Sequence, residues 1–170
     1  MANESWDMVS FDLGTIAIVA RENRLIRICF ECSQGVAEKS VVALYPSSKQ
    51  SSQPQILEGL TQLTEYFLAK RCTFTLDLNY GSLTPFVRRV HQELVKIPYG
   101  EVVSYGELAA RAGSPKAARA VGRVMSTNPF PLVVPCHRVV NADGFIGQYS
   151  AVQGTETKAW LIDFEQGQIR

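Results

Sequence analysis

Hydrophobic positions in the first thirty residues alternate in a strand-like way. Val9, Phe11 and Leu13 give way to Ile16, Ile18 and Ala20, and after a polar Glu22-Asn23 turn come Leu25, Ile26 and Ile28. That period of two predicts strands joined as an antiparallel hairpin or meander. The polar stretch from Tyr45 to Pro54 predicts a loop, and Pro54 suits the first turn of a helix carrying Leu57, Leu60, Leu63 and Phe67 on one face. Phe74, Leu76 and Leu78 alternate with polar residues and predict one more strand, followed by a linker at Asn79-Tyr80-Gly81-Ser82. The linker separates an expected first domain, residues 1–80, from a second, residues 84–170.

The second half changes to a helical period. Thr84 and Pro85 suit a helix start, and Phe86, Val90, Leu94 and Ile97 fall on its buried face before Pro98-Tyr99-Gly100 ends it. Ser104-Tyr105-Gly106-Glu107 has the spacing of a capping box, which opens a short helix closed by Gly113. Ser114-Pro115 then opens another, expected over Pro115 to Thr127. Two helices across a tight glycine turn match a helix-turn-helix, which docks on DNA and also occurs as plain helix packing. On the second helix Lys116, Arg119 and Arg123 recur at three- and four-residue steps and so share a face. Ala117, Ala118, Ala120 and Gly122 leave that helix nearly bare, so a groove wall can come close. A long cation rising from such a surface can also fill the gap left when a base is rotated out of a duplex, and central Arg119 is the candidate.

Composition narrows the class. With 170 residues, 46% apolar and 19% charged, the chain is an ordinary globular protein of one or two domains. No apolar run nears the ~18 residues of a membrane span, and Met1-Ala2-Asn3-Glu4-Ser5 lacks a signal-peptide pattern. The expected setting is therefore cytoplasmic, or nuclear in a eukaryote, with no membrane partner. Net charge is only +1, but Thr84 to Val140 holds eight Lys or Arg against three Glu, a bias toward a polyanion.

Of the four cysteines, Cys29 and Cys32 have the spacing of half a zinc site but lack a second pair, and are expected to be thiols at the end of a buried strand. Cys136 is different, because it stands in Pro135-Cys136-His137-Arg138. A thiol with a pKa of about 8.5 needs a base or a field that favours the thiolate before it attacks, and His137 and Arg138 could supply both. On an extended segment His137 would point away from Cys136, so a water relay or a turn is required. Glu165 is the acid nominated to hold the imidazole, with Asp163 equally near in sequence. A cysteine in this setting is also commonly a small buried hydrophobe.

The string Pro135-Cys136-His137-Arg138-Val139, preceded by Lys116-Ala117-Ala118-Arg119-Ala120-Val121-Gly122 and Asn128-Pro129, closely resembles the O6-alkylguanine-DNA alkyltransferases (methylated-DNA-protein-cysteine methyltransferases). Ile97 to Glu101, Ser104-Tyr105 and Gly147 to Ser150 extend the resemblance. It implies an α+β fold: an N-terminal ribonuclease H-like antiparallel sheet lobe plus a C-terminal helical lobe whose helix-turn-helix, winged-helix-like motif binds the DNA minor groove. It also implies direct reversal of DNA damage, in which the base is flipped and its alkyl group passes irreversibly to Cys136 in one turnover.

The same resemblance assigns roles. His137 would be the base through a water, Glu165 its orienting acid, and Asn128 the hinge residue. Tyr105 would stack near the lesion and donate to guanine N3, Ser150 would donate to O6, and the backbone at Cys136 and Val139 would accept from the exocyclic amine. Tyr149 and Pro131 would line the pocket. Arg119 would replace the flipped nucleotide, with Ser104, Lys116, Ala117, Ala120 and Arg123 against the DNA. No metal or organic cofactor is implied. The expected partner is double-stranded DNA containing O6-alkylguanine, bound by a monomer, with cooperation along DNA left open. The chain departs from many relatives in having Ala151-Val152 where two glycines follow Tyr-Ser, and His91 where Trp is frequent. Two other functions fit the scaffold: a lesion sensor without chemistry, and a helix-turn-helix transcription regulator.

Overall fold

A computed structural model describes residues 3–167, which divide into two units between Asn79 and Tyr80. In the first, β1 (Glu4–Phe11), β2 (Gly14–Arg21) and β3 (Arg24–Glu31) form the predicted antiparallel meander. A two-residue β4 (Lys49–Gln50) pairs parallel to β1, giving the order β3-β2-β1-β4. This pairing falls inside the segment expected to be loop. Both faces of β2 are covered. Ala17 and Val19 pack with Trp6, Cys29, Ala37 and Val41, the last two from α1 (Gln34–Leu44). On the opposite face α2 (Pro54–Phe67) lies so close that a Cβ on Gly59 would sit 2.7 Å from Ile18 Cδ1.

Three expectations change in this unit. Helix α1 is not announced by the pattern, because only Ala37 and Val41 of it are buried while Val36, Val42 and Leu44 face solvent. Helix α2 buries Ile56, Gly59, Leu63 and Tyr66, and Leu57 is exposed. The expected strand at Phe74 to Leu78 is reduced to one bridge, Leu78 with Leu25. The reason is a side chain: Gln62 of α2 accepts from the Thr75 N–H at 2.9 Å and donates to its hydroxyl at 2.9 Å, taking the place of a strand neighbour. The thiols separate too. Cys29 is buried in β3, where burial pushes its pKa up to about 11, whereas Cys32 is exposed.

The second unit begins with α3 (Pro85–Leu94), whose N-cap Thr84 accepts from the Val87 N–H. Val90, Leu94 and Ile97 are buried as expected, Phe86 is half-buried, and His91 is wholly buried. Neither imidazole nitrogen of His91 has a hydrogen-bond partner among the described residues, and burial lowers its pKa to about 4. The unfolded chain, with an ordinary histidine near 6.5, therefore binds a proton between about pH 6.5 and 4 that the folded chain refuses. Stability should fall across that window by about 3 kcal/mol from this residue. His91→Phe should remove that share: in urea melts its advantage over the native chain grows from pH 7 to pH 4.5, and an equal difference at both pH values would refute the assignment.

Candidate active site

Following α3, β5 (Val103–Ser104) leads into α4 (Tyr105–Arg111) through the capping box read from the sequence. The Ser104 hydroxyl accepts from the Glu107 N–H at 3.1 Å, and the Glu107 carboxylate accepts from the Ser104 N–H at 2.7 Å. Both orphan donors are met, so Tyr105 is fixed at the first helical position. Gly113 ends the turn after α4 with φ of +79°, a conformation that disfavours other residues. Helix α5 (Ala118–Ser126) begins three residues later than expected, because the Ala117 N–H bonds Ser114 O at 2.9 Å in a separate turn. Lys116 is in that turn and does not share a helical face with Arg119 and Arg123, both of which are exposed on α5.

Past α5 the prolines guide the chain through a series of turns. Asn128 clasps this segment: its Nδ2 donates to Val134 O at 2.8 Å, and its Oδ1 accepts from the Phe130 N–H at 3.0 Å. Cys136, His137 and Arg138 then form one 3-10 turn before β6 (Val139–Val140), which pairs parallel to β5. The Cys136 side of this turn reaches a cavity, although the residue is only 3% exposed. Burial raises the Cys136 pKa, against the opposing pull of the Asn128 amide, the Lys158 ammonium and nearby backbone N–H groups. The resting sulfur is thus a thiol. Of the base and the field that the sequence offered, the base is the one required, because the proton must be removed during the reaction.

Behind the thiol lies a buried charge cluster. His137 Nε2 is 2.7 Å from Glu165 Oε1, on α6 (Thr155–Glu165). Arg138 meets the same carboxylate through Nε at 2.8 Å and Nη2 at 2.9 Å, and donates from Nη1 to Ile97 O at 2.7 Å. The Gly100 N–H adds a fourth donor, at 3.1 Å. Arg138 therefore serves Glu165 and not the thiol. Glu165, rather than Asp163, meets the imidazole because it continues the buried stripe of Lys158 and Leu161, while Asp163 is off that stripe and half-buried.

These contacts fix the protonation states. Burial alone would raise the Glu165 pKa, but hydrogen bonds from His137 and Arg138 hold it well below the carboxylate range. Burial lowers the His137 pKa against the pull of Glu165. A neutral imidazole facing an ionised carboxylate carries its hydrogen on Nε2, which leaves the lone pair on Nδ1. Nδ1 is buried and has no protein hydrogen-bond partner among the described residues.

The cavity, about 630 Å³, is walled by Tyr105, Arg119, Arg123, Cys136, Tyr149 and Ser150, joined by Gly122, Asn141 and Gly147. Of the other expected residues, Pro131 and Val139 are buried without forming its wall, and Ser104, Lys116, Ala117 and Ala120 are outside it. Asn141 and Lys158 were not anticipated. Lys158 is 1% exposed, and its Nζ donates to the Tyr105 hydroxyl at 3.4 Å and to Gln148 O at 3.4 Å. The ammonium also lies 5.6 Å from the Tyr105 ring centroid. Burial brings its pKa down to about 8, partly offset by Cys136. Its sequence signal was a lysine sharing a helical stripe with Leu161 and Glu165.

Residues 85–167 match the 6-O-methylguanine DNA methyltransferase DNA binding domain, and residues 6–80 match the ribonuclease-like domain of the same proteins. The chain belongs to the 6-O-methylguanine DNA methyltransferase family. Within it, the constitutive methylated-DNA-protein-cysteine methyltransferase of Bacillus subtilis is 39% identical over 154 residues, covering 91% of this chain and 90% of that one. The human methylated-DNA-protein-cysteine methyltransferase is 52% identical over 81 residues, 47% of this chain and 38% of the human one. The crystal structure of the Mycobacterium tuberculosis O6-methylguanine methyltransferase has a TM-score of 0.79 at 28% identity, covering 100% of this chain and 96% of that chain. The mycobacterial protein in complex with DNA gives 0.79 and 28%, over 96% and 94%. The family's α+β architecture, a sheet lobe and a helical DNA-binding domain, is the one described above.

Proposed function

We propose that Cys136 takes the alkyl group from O6 of an alkylated guanine in double-stranded DNA, once per molecule. The single observation that carries this reading is a thiol at the wall of a cavity edged by Arg119 and Arg123, backed by a buried His137–Glu165 pair. A water between Sγ and His137 Nδ1 would pass the thiol proton to the imidazole, and Glu165 would stabilise the imidazolium. The sulfur pair then forms a bond to the alkyl carbon as the carbon–O6 bond breaks, leaving guanine and a thioether. A thioether is not readily cleaved, so the protein is a reagent consumed by its reaction.

The leaving base must be made a good one by donors at its edge. The Tyr105 hydroxyl would donate to N3, and the Lys158 ammonium behind it makes that hydroxyl a better donor. Ser150 would donate to O6, the Cys136 and Val139 carbonyls would accept from the exocyclic amine, and Tyr149 and Pro131 would bound the base. Asn128 holds the Cys136 turn in place. For the base to arrive it must leave the stack, at a cost of a few kcal/mol that a poorly paired lesion reduces. Arg119 would occupy the gap, with α5 and its Ala120 in the minor groove and Ser104, Lys116, Ala117 and Arg123 beside the phosphates. One chain supplies all these groups, so a monomer suffices, and a cytoplasmic setting keeps the thiol reduced.

The test is a duplex oligonucleotide bearing one O6-methylguanine, followed by mass analysis of the peptide containing Cys136. A gain of one methylene on that peptide is expected. Lesion binding without the gain would favour the sensor, and indifference to the lesion the regulator. The lysine makes a second prediction. Since the charged form of Lys158 is the useful one and its pKa is about 8, its benefit should fade as pH rises through that value. The transfer rate of the native chain should exceed that of Lys158→Met about ten-fold at pH 7, and the ratio should fall toward one above pH 8. A ratio flat with pH would exclude the charge as the cause.

A further inference from the structure

The loop from Asn141 to Gly147 takes no part in the transfer chemistry, yet both of its ends belong to the cavity. Strands β5 and β6 run parallel, with Val103 opposite Val139 and Ser104 opposite Val140. The chain leaving β6 therefore emerges beside Tyr105, the residue that follows β5. Gly147 closes the loop at the same place: a Cβ there would lie 3.3 Å from Asn141 Nδ2 and 3.5 Å from the Tyr105 hydroxyl. Asn141 and Gly147 both wall the cavity that holds Cys136 and Arg119.

Between these ends the backbone is pinned. The Asn141 N–H donates to Phe145 O at 2.9 Å, the Gly144 N–H donates to Asn141 O at 2.9 Å, and Asp143 Oδ1 accepts from the Phe145 N–H at 3.0 Å. Phe145 is nevertheless 74% exposed, more than any other large apolar residue among the described residues. Scattered apolar residues are ordinary on a surface. This one has its backbone held by two of these hydrogen bonds, in a loop whose flanking residues Asn141 and Gly147 wall a cavity that also carries two arginines, and the loop gains little packing from its ring.

We infer that Phe145 packs on duplex DNA beside the extruded nucleotide, its ring against the sugar and base that flank the gap. The inference rests on the alkyl-transfer reading above and adds to it a contact that only DNA, not the free base, can make. An aromatic ring serves this purpose whatever the neighbouring sequence, because every base and every deoxyribose offers it an apolar face. The ring keeps the flanking nucleotide from closing over the space while Arg119 fills the stack.

The experiment compares the native chain, Phe145→Ala and Phe145→Trp with two methyl donors, the lesion-bearing duplex and free O6-methylguanine. Phe145→Ala should lose about ten-fold in duplex affinity and in transfer rate from duplex at limiting concentration, and Phe145→Trp should restore both. Transfer from the free base should be the same in all three. Native affinity and rate in Phe145→Ala would overturn the inference, as would a loss that is equal for duplex and free base, since the ring would then serve the cavity itself. If the native chain accepts a methyl group from neither donor, the alkyl-transfer reading fails and this inference falls with it.

Discussion

Cys136→Ser should bind a lesion-bearing duplex with the affinity of the native chain and transfer nothing from it. A hydroxyl is a far weaker nucleophile than a thiol at neutral pH, and the His137 relay cannot make up the difference, so a loss on the order of 10⁴-fold or more is expected. The affinity should survive because Cys136 is 3% exposed and offers DNA almost no surface, whereas Arg119 and Arg123 at the rim are unaltered. Fluorescence anisotropy on the duplex and mass analysis of the Cys136 peptide read the two properties separately. A parallel loss of both would mean that the sulfur and the arginine helix do not have the separate tasks assigned to them.

Glu165→Gln should be the most damaging change for the fold. Its carboxylate receives Arg138 twice, His137 once and the Gly100 N–H, all in a region closed to water. With an amide there, the Arg138 guanidinium, 5% exposed, is left without a counter-charge, which costs about 3–5 kcal/mol. Because Glu165 titrates below the ordinary carboxylate range when folded, its contribution is complete above about pH 4.3 and is lost as pH falls below that value. Urea melts should accordingly show a large gap between native chain and variant at pH 7 that narrows in acid. Stabilities within about 1 kcal/mol at pH 7 would show that the cluster contributes little. Transfer should fall as well, since the carboxylate is what keeps the His137 lone pair on Nδ1.

Legibility in the sequence followed physical signal. The β1–β3 meander was plain because short runs rich in β-branched residues are broken by polar turns, although β2 is buried on both faces, and the Ser104–Glu107 box because a cap is a local chemical pattern. Helix α1 was hidden by its narrow buried stripe, and the Phe74 to Leu78 segment deceived because Gln62 satisfies its backbone from a distance of thirteen residues. At the site, Cys136, His137 and Arg138 could be found as a string. Their partnerships could not, since burial and charge decide them together: Arg138 turns to Glu165, and the sulfur keeps its proton. Lys158 lacked any motif, and only the folding of α6 against Tyr105 brings it to the chemistry.

Val152 shows where this arrangement is under tension. Its φ of +50° is a conformation that a β-branched residue adopts at a cost of about 1–3 kcal/mol. The residue stands between Ser150, on the cavity wall, and Gly154, from which α6 starts. The strained link thus joins the part of the site that must admit a guest to the helix that holds Lys158 and Glu165. Relaxation of Val152 would shift the wall at Ser150 without breaking any of the bonds that hold the charge cluster shut.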